Sequence, residues 1–195
     1  NISYANGTLT INPADLTVSA NNQSRTYGGV NPTAGGVTIT SGSLYNGDTL
    51  SNATLATAAN ATSNVGNYSL SASNQTMSNG SVSNYNITYT NGTLTVNPAN
   101  LTITANSTST QYGLGTTLGT TAFTAVGLQN SETVGNVTLA SSGSANTTNV
   151  GTYNITAASA ANGTFTASNY NISYANGTLT INPADLTVSA NNQSR

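Results

Sequence analysis

The 25-residue segment "NISYANGTLTINPADLTVSANNQSR" occupies positions 1–25 and again 171–195. Exact recurrence at a spacing of 170 restricts the fold to architectures that repeat in tandem. A second period lies inside the first. "NPADLTVSANNQSRTYG" from Asn12 is echoed by "NPANLTITANSTSTQYG" from Asn97, and "NVGNYSL" from Asn64 by "NVGTYNI" from Asn149, each 85 residues on. "SNYNITYTNGTLTVNPA" from Ser83 returns at the same spacing as "SNYNISYANGTLTINPA" from Ser168. "NGDTLSNATL" from Asn46 matches "NSETVGNVTL" from Asn130 at 84, so one residue is gained or lost in a loop. The expected organisation is therefore module A over 14–98 and module B over 99–183. Residues 1–13 read as the terminal hairpin of a preceding module and 184–195 as the first strand of a following one. Shared ends predict that the chain is a stretch of a longer alternating array.

The modules read as β. Leu16, Val18 and Ala20 alternate with Thr17 and Ser19; Leu101, Ile103 and Ala105 do the same in module B. Tyr68, Leu70 and Ala72 alternate after Val65-Gly66, as do Tyr153, Ile155 and Ala157 after Val150-Gly151. A period of two is the mark of a half-buried strand. Val37 and Ile39 suggest one more strand. No stretch has a helical period, and Thr, Asn, Ser and Gly are poor helix formers; one short helical turn is expected near Asn46–Leu50. Asn91-Gly92 and Asn176-Gly177 are the preferred dipeptides of a two-residue type I′ hairpin. That turn would place Tyr89 opposite Leu94 and Ile87 opposite Val96, with Thr–Thr pairs outward. Five to seven short strands per module follow, joined through Asn97-Pro98-Ala99-Asn100, where the proline ring fixes φ. The fold class expected is all-β, tandem 85-residue modules, each a β-grasp-like sheet or an Ig-like sandwich, strung as an elongated rod.

Composition removes several functions. Charged residues are 3% of the chain, with no Lys and no His, and the net charge is −2. Phosphate binding needs many cations, so nucleic acid is not an expected partner. No run approaches the ~20 apolar residues of a membrane helix, so no membrane insertion is expected in this segment. Without His, Lys or Cys, the Ser and Thr hydroxyls lack a familiar activating base, and the expectation is a non-enzyme without cofactor or metal. Zero Cys excludes a disulfide framework.

The assembled motifs "LTVSANNQSRTYG", "NVGNYSLSAS" and "NYNITYTNGTLTVNPA" resemble the MBG/YDG-type tandem repeats of large bacterial surface proteins, including filamentous-haemagglutinin-like adhesins. The family's Tyr-Gly pair falls at Tyr27-Gly28 and Tyr112-Gly113, with no Asp between the two residues. The resemblance implies a secreted or surface-anchored bacterial fibre, extracellular or on the outer cell surface. The expected partners are neighbouring modules of the same chain, further copies in a homo-oligomeric fibre or bundle, and surface glycans.

Few residues stand out as sites. There are 19 Asn-x-Ser/Thr sequons, among them Asn52, Asn60, Asn67, Asn86, Asn91, Asn100, Asn136 and Asn154. They are candidate N-glycosylation acceptors, although a chain rich in Asn, Ser and Thr also produces sequons by chance. Asp48 and Glu132 hold matching loop positions. Calcium needs six to eight oxygens with several carboxylates, so they read instead as turn residues bonding local backbone. Arg25 is a candidate partner for Asp48 across module A, with Thr110 in its place in module B. Tyr27, Tyr68, Tyr85 and Tyr89 can be read as a sugar-stacking platform, but alternating tyrosines more often sit in the core with the hydroxyl at its rim.

Overall fold

The computed structural model covers residues 1–195. The chain separates into two compact units, Asn1–Asn97 and Pro98–Arg195. Both are built from strands, with only two 3-10 turns, Val82–Asn84 and Ala167–Asn169, and no α-helix. The first unit contains β1 (Ala14–Ala20), β2 (Gln23–Thr26), β3 (Ala34–Gly35), β4 (Val37–Gly42), β5 (Thr49–Leu50), β6 (Ala53–Ala56), β7 (Gly66–Ser73), β8 (Met77–Asn79), β9 (Tyr85–Thr90) and β10 (Gly92–Asn97). The second contains β11 (Ala99–Ala105), β12 (Thr108–Gln111), β13 (Phe123–Val126), β14 (Val134–Ala140), β15 (Gly151–Gly163), β16 (Tyr170–Ala175) and β17 (Gly177–Asn182). The expected five to seven strands undercount the first unit, because β3, β5 and β8 are only two or three residues long and carry no readable alternation.

The organising feature of each unit is one bent parallel ribbon. Ala14 to Ser19 run parallel to Tyr85 to Thr90, and Gln23 to Thr26 run parallel to Leu94 to Asn97. Partners are 71 residues apart throughout. The first half of the ribbon lies in a sheet of order β4-β1-β9, the second half in a sheet of order β2-β10-β7-β6-β3. Module B repeats the plan with the same separation, in sheets β13-β11-β16 and β12-β17-β15-β14.

This arrangement overturns the expected hairpins. β9 and β10 do not pair with one another; the chain crosses from one sheet to the other at Asn91, and β16 and β17 do the same at Asn176. Neither Asn91 nor Gly92 has the positive φ that a type I′ turn requires. Gly92 is needed for closeness instead, since a Cβ there would lie 2.1 Å from the Ala20 carbonyl oxygen; at Gly177 it would lie 2.4 Å from that of Ala105. The expected helical turn at Asn46–Leu50 is also absent. Asn46 and Gly47 have φ of 56° and 75°, and the Asp48 N–H donates to the Tyr45 carbonyl, which makes a type I′ turn there.

The inward residues are those the alternation marks. Leu16, Val18, Leu70, Leu94 and Val96 are buried in the first unit, and Leu101, Ile103, Ile155, Leu179 and Ile181 in the second. Each such side chain contributes about 1.5–3 kcal/mol. In module A one cluster gathers around Leu55, Leu70 and Leu94 and another around Leu16, Val18 and Tyr85; Val37 and Tyr89 pack against both, so the two sheets share a core. A two-sheet sandwich describes this better than a β-grasp, which needs a helix across its sheet.

Between β10 and β11 only Pro98 is outside a strand, so the four-residue joint expected from the sequence shortens to one residue. Residues 1–13 and 183–195 form no strand. Copies of these segments inside the modules are held by neighbouring strands that here already have partners, and a lone hairpin or strand is not stable in water.

Candidate functional site

Tyrosines tie each module together, and the ties repeat. Tyr68 donates its hydroxyl to the Asn64 carbonyl at 2.7 Å, and Tyr153 to that of Asn149 at 3.0 Å. The Tyr89 oxygen accepts the Gln75 N–H, and the Tyr174 oxygen the Ala160 N–H, both at 2.9 Å. Tyr27 and Tyr85 are buried, and Tyr68 and Tyr89 are half-buried. The four tyrosines considered as a stacking platform are thus buried or half-buried core residues, and the hydroxyls of Tyr68, Tyr85 and Tyr89 are hydrogen-bonded.

The most developed polar constellation surrounds the Tyr45–Asp48 turn. The Tyr85 hydroxyl donates to Asp48 Oδ2 at 2.9 Å and accepts the Tyr45 N–H at 2.9 Å. Tyr170 does the same in module B, donating to Glu132 Oε2 at 2.5 Å and accepting the Gln129 N–H at 2.9 Å. The Tyr45 N–H favours the phenolate and acts to lower the Tyr85 pKa. Burial and the Asp48 carboxylate, which accepts the phenol proton, oppose it and together hold the pKa above 10.0. Asn79 fastens the turn from β8 through Nδ2 to the Gly47 carbonyl. The expectation that Asp48 and Glu132 bond local backbone fails: their backbones make the turn, but their side chains reach a tyrosine 37 and 38 residues away. No group of three or more His, Cys, Asp or Glu side chains forms around either.

Beside this turn module A has an open cleft of about 350 Å³ between the turn and the start of β9. Tyr45, Asn46, Asp48, Ser83, Asn84 and Tyr85 line it together with Ile11, Asn12, Pro13 and Ala14, so part of its wall comes from the segment before β1. Tyr45 is 57% exposed. Module B has Gln129 at that position, with its amide turned back onto the Gly127 carbonyl. The sequence reading passed over Tyr45. The signal that would have found it is a carboxylate retained in both modules of a nearly uncharged chain, with an aromatic neighbour in only one. A second cleft, of about 540 Å³, lies in module B; Leu118, Leu139 and Ile155 are among its walls and none of its walls is charged.

Arg25 does not pair with Asp48. It is buried in module A, where Nε donates to Asn31 Oδ1 at 2.7 Å, one terminal nitrogen to the Asn60 carbonyl at 2.5 Å and the other to the Thr26 carbonyl at 3.2 Å. Thr110 replaces it in module B and bonds the Gly115 carbonyl. The Tyr-Gly pairs close the ribbon beside it. The Tyr27 and Tyr112 N–H groups donate to Asn97 and Asn182, and Gly28 and Gly113 take φ of 80° and 92° in the turns that follow. Only glycine adopts such angles without strain.

The sequon asparagines are spread over the sheets and are not brought together. Asn52, Asn60, Asn67, Asn86, Asn91, Asn100 and Asn154 are exposed and Asn136 is half-buried. Several have structural bonds: Asn86 donates to Asp15, Asn67 accepts from Thr95, and Asn60 Oδ1 caps its own loop at Thr62.

The sequence matches the MBG domain (YGX type) over residues 16–95 and again over 101–180. Tyr27-Gly28-Gly29 and Tyr112-Gly113-Leu114 have the Tyr-Gly-x form of that description. No curated protein and no solved structure matches the chain significantly.

Proposed function

The chain belongs to the MBG domain family, YGX type, as a tandem pair, and from that premise we propose that it is a structural repeat unit of a long bacterial surface fibre. Its work is geometric: successive modules hold something away from the cell, outside the cytoplasm, without catalysis. The observation that carries this reading is the one-residue connection. β10 ends at Asn97 and β11 begins at Ala99, and the φ of Pro98 is fixed near −65° by its ring. A joint with so few free torsions favours a stiff spacer over a flexible tether.

The surface supports lateral association as well. Edge strands in soluble proteins are usually guarded by Lys, Pro or inward charges. The edge strands β4 and β13 carry no charge, and the outward faces of β1 and β9 present Asp15, Thr17, Ser19, Asn86, Thr88 and Thr90, one charge among six, which Asn86 hydrogen-bonds. Rods with such faces have little long-range repulsion to keep them apart. Glycans on the exposed sequon asparagines are the competing state, since they would separate the rods. Electron microscopy of a several-module array tests the spacer reading. Strands rise about 3.3 Å per residue, so a module of this kind is about 35–45 Å long and end-to-end joining gives an axial repeat of about 70–90 Å per A–B pair. A repeat near half that value would mean side-by-side modules and would refute it. Molar mass of the unglycosylated chain at low and high salt tests association: a monomer under both conditions rejects it.

The adhesive reading, in which the repeated surface itself binds a ligand, is favoured by one observation, the exposed aromatic in the module A cleft.

A further inference from the structure

We propose that the cleft between the Tyr45–Asp48 turn, the start of β9 and residues 11–14 binds a neutral saccharide ring at module A and not at module B. The proposal goes beyond the spacer role and is independent of it, since a spacer keeps its length with or without a ligand site.

A sugar ring has an apolar C–H face and a rim of hydroxyls that both donate and accept. It calls for an exposed ring to cover the face and for a few fixed polar groups at the rim. Tyr45 supplies the ring; its backbone is held by two hydrogen bonds, one from its N–H to the Tyr85 oxygen and one to its carbonyl from the Asp48 N–H. Asp48 supplies the fixed acceptor. Tyr85 occupies Oδ2, and an ionised carboxylate has about four lone-pair sites, so acceptor capacity remains. Gly80 makes room for this carboxylate, since a Cβ there would lie 2.2 Å from Oδ1. Asn46 and Asn84 add two exposed side-chain amides, and Ser83 adds a hydroxyl. Ligand pockets commonly span about 300–1,000 Å³, and a volume of about 350 Å³ suits one or two rings.

Charge sets the class. Asp48 is the one ionisable carboxylate in the lining, and no Arg or Lys lies there to balance it or to receive an anion. Acidic sugars and phosphates are therefore disfavoured, and neutral hexoses fit. Module B keeps the carboxylate–tyrosine bond but has Gln129 for Tyr45, so it retains the structural tie and loses the stacking surface.

The test is saturation-transfer NMR on the 195-residue chain with the methyl glycosides of glucose, galactose and mannose, alongside glucuronate and glucosamine. Saturation transfer to at least one neutral glycoside at concentrations up to roughly 10 mM is expected. Tyr45→Gln copies the residue module B uses at that place and so keeps the fold, which circular dichroism verifies; it should lower affinity at least tenfold. Asp48→Asn retains an acceptor for Tyr85 and should weaken binding too, while Tyr112→Ala, an exposed tyrosine of module B, should leave it unchanged. No transfer to any neutral glycoside overturns the proposal. So does unaltered binding in folded Tyr45→Gln, and so does binding of glucosamine alone, which would identify the cleft as a cation site.

Discussion

The hydroxyl of Tyr85 lies 2.9 Å from the Asp48 carboxylate, and 85 residues later Tyr170 makes the same bond to Glu132. Asp and Glu differ by a methylene, yet both reach the same phenol, so the tie between the β4–β5 loop and β9 survives a change in side-chain length. In a chain with four carboxylates, two are spent on this bond. It fastens a turn that the small core alone would hold weakly.

That bond makes stability depend on alkaline pH. Tyr85 has a folded-state pKa above 10.0. Below the unfolded value both states are protonated and the contribution is whole. As pH rises past 10.0 the unfolded chain releases its proton first, and the contribution is lost progressively through the folded pKa. Urea midpoints should therefore fall more steeply above pH 10 for the native chain than for Tyr85→Phe, and equal slopes would contradict the assignment.

The two type I′ turns differ in quality. Gly47 takes its φ of 75° freely, whereas Ser131 holds 59° in module B. A side chain in the left-handed region costs about 1–2 kcal/mol, partly offset by the greater unfolded-state freedom of glycine. Ser131→Gly should stabilise the second unit by about 0.5–1 kcal/mol, read as a higher urea midpoint with an unchanged slope.

Crossing between sheets depends on Gly92. A methyl group 2.1 Å from the Ala20 oxygen has only backbone to push against, and overpacking of this kind costs about 1–3 kcal/mol or more. Gly92→Ala should lower the melting temperature markedly. Gly7→Ala, where nothing lies within 4 Å, should leave it in place. If both variants melt alike, the close approach is not real.

Arg25 locks a loop that module B leaves to other contacts. Arg25→Thr, the residue found at position 110, removes donors from the Asn60 carbonyl and from Asn31. Asn31 is half-buried and Asn60 exposed, so water can replace part of these bonds and the loss should be about 1 kcal/mol. Amide exchange at Gly28, which donates to Ala61 in that loop, should accelerate. Unchanged protection there would show that the loop is held without the arginine.

Which residues face inward was legible in the sequence, because burial on one face of a strand is written as a period of two. Leu16, Val18 and Ala20, and their counterparts Leu101, Ile103 and Ala105, are buried as that alternation requires. The 85-residue spacing likewise exposed the two modules before any contact was known. What the alternation does not encode is the partner. A hairpin at Asn91-Gly92 and a crossing between sheets bury the same Ile87, Tyr89, Leu94 and Val96, and Asn-Gly permits a type I′ turn without forcing one. The choice falls to β1 and β2, which lie 71 residues earlier and offer both strands a parallel edge. The same distance in sequence hid the cleft. Tyr45, Asp48 and Tyr85 have no common spacing or motif, and only the return of β9 beside β1 brings the phenol to the turn. Local periodicity therefore determined the faces of the strands, while pairing and the site were decided by contacts whose formation depends on closing loops some 40 to 70 residues long, a non-local cost that no short window of sequence records.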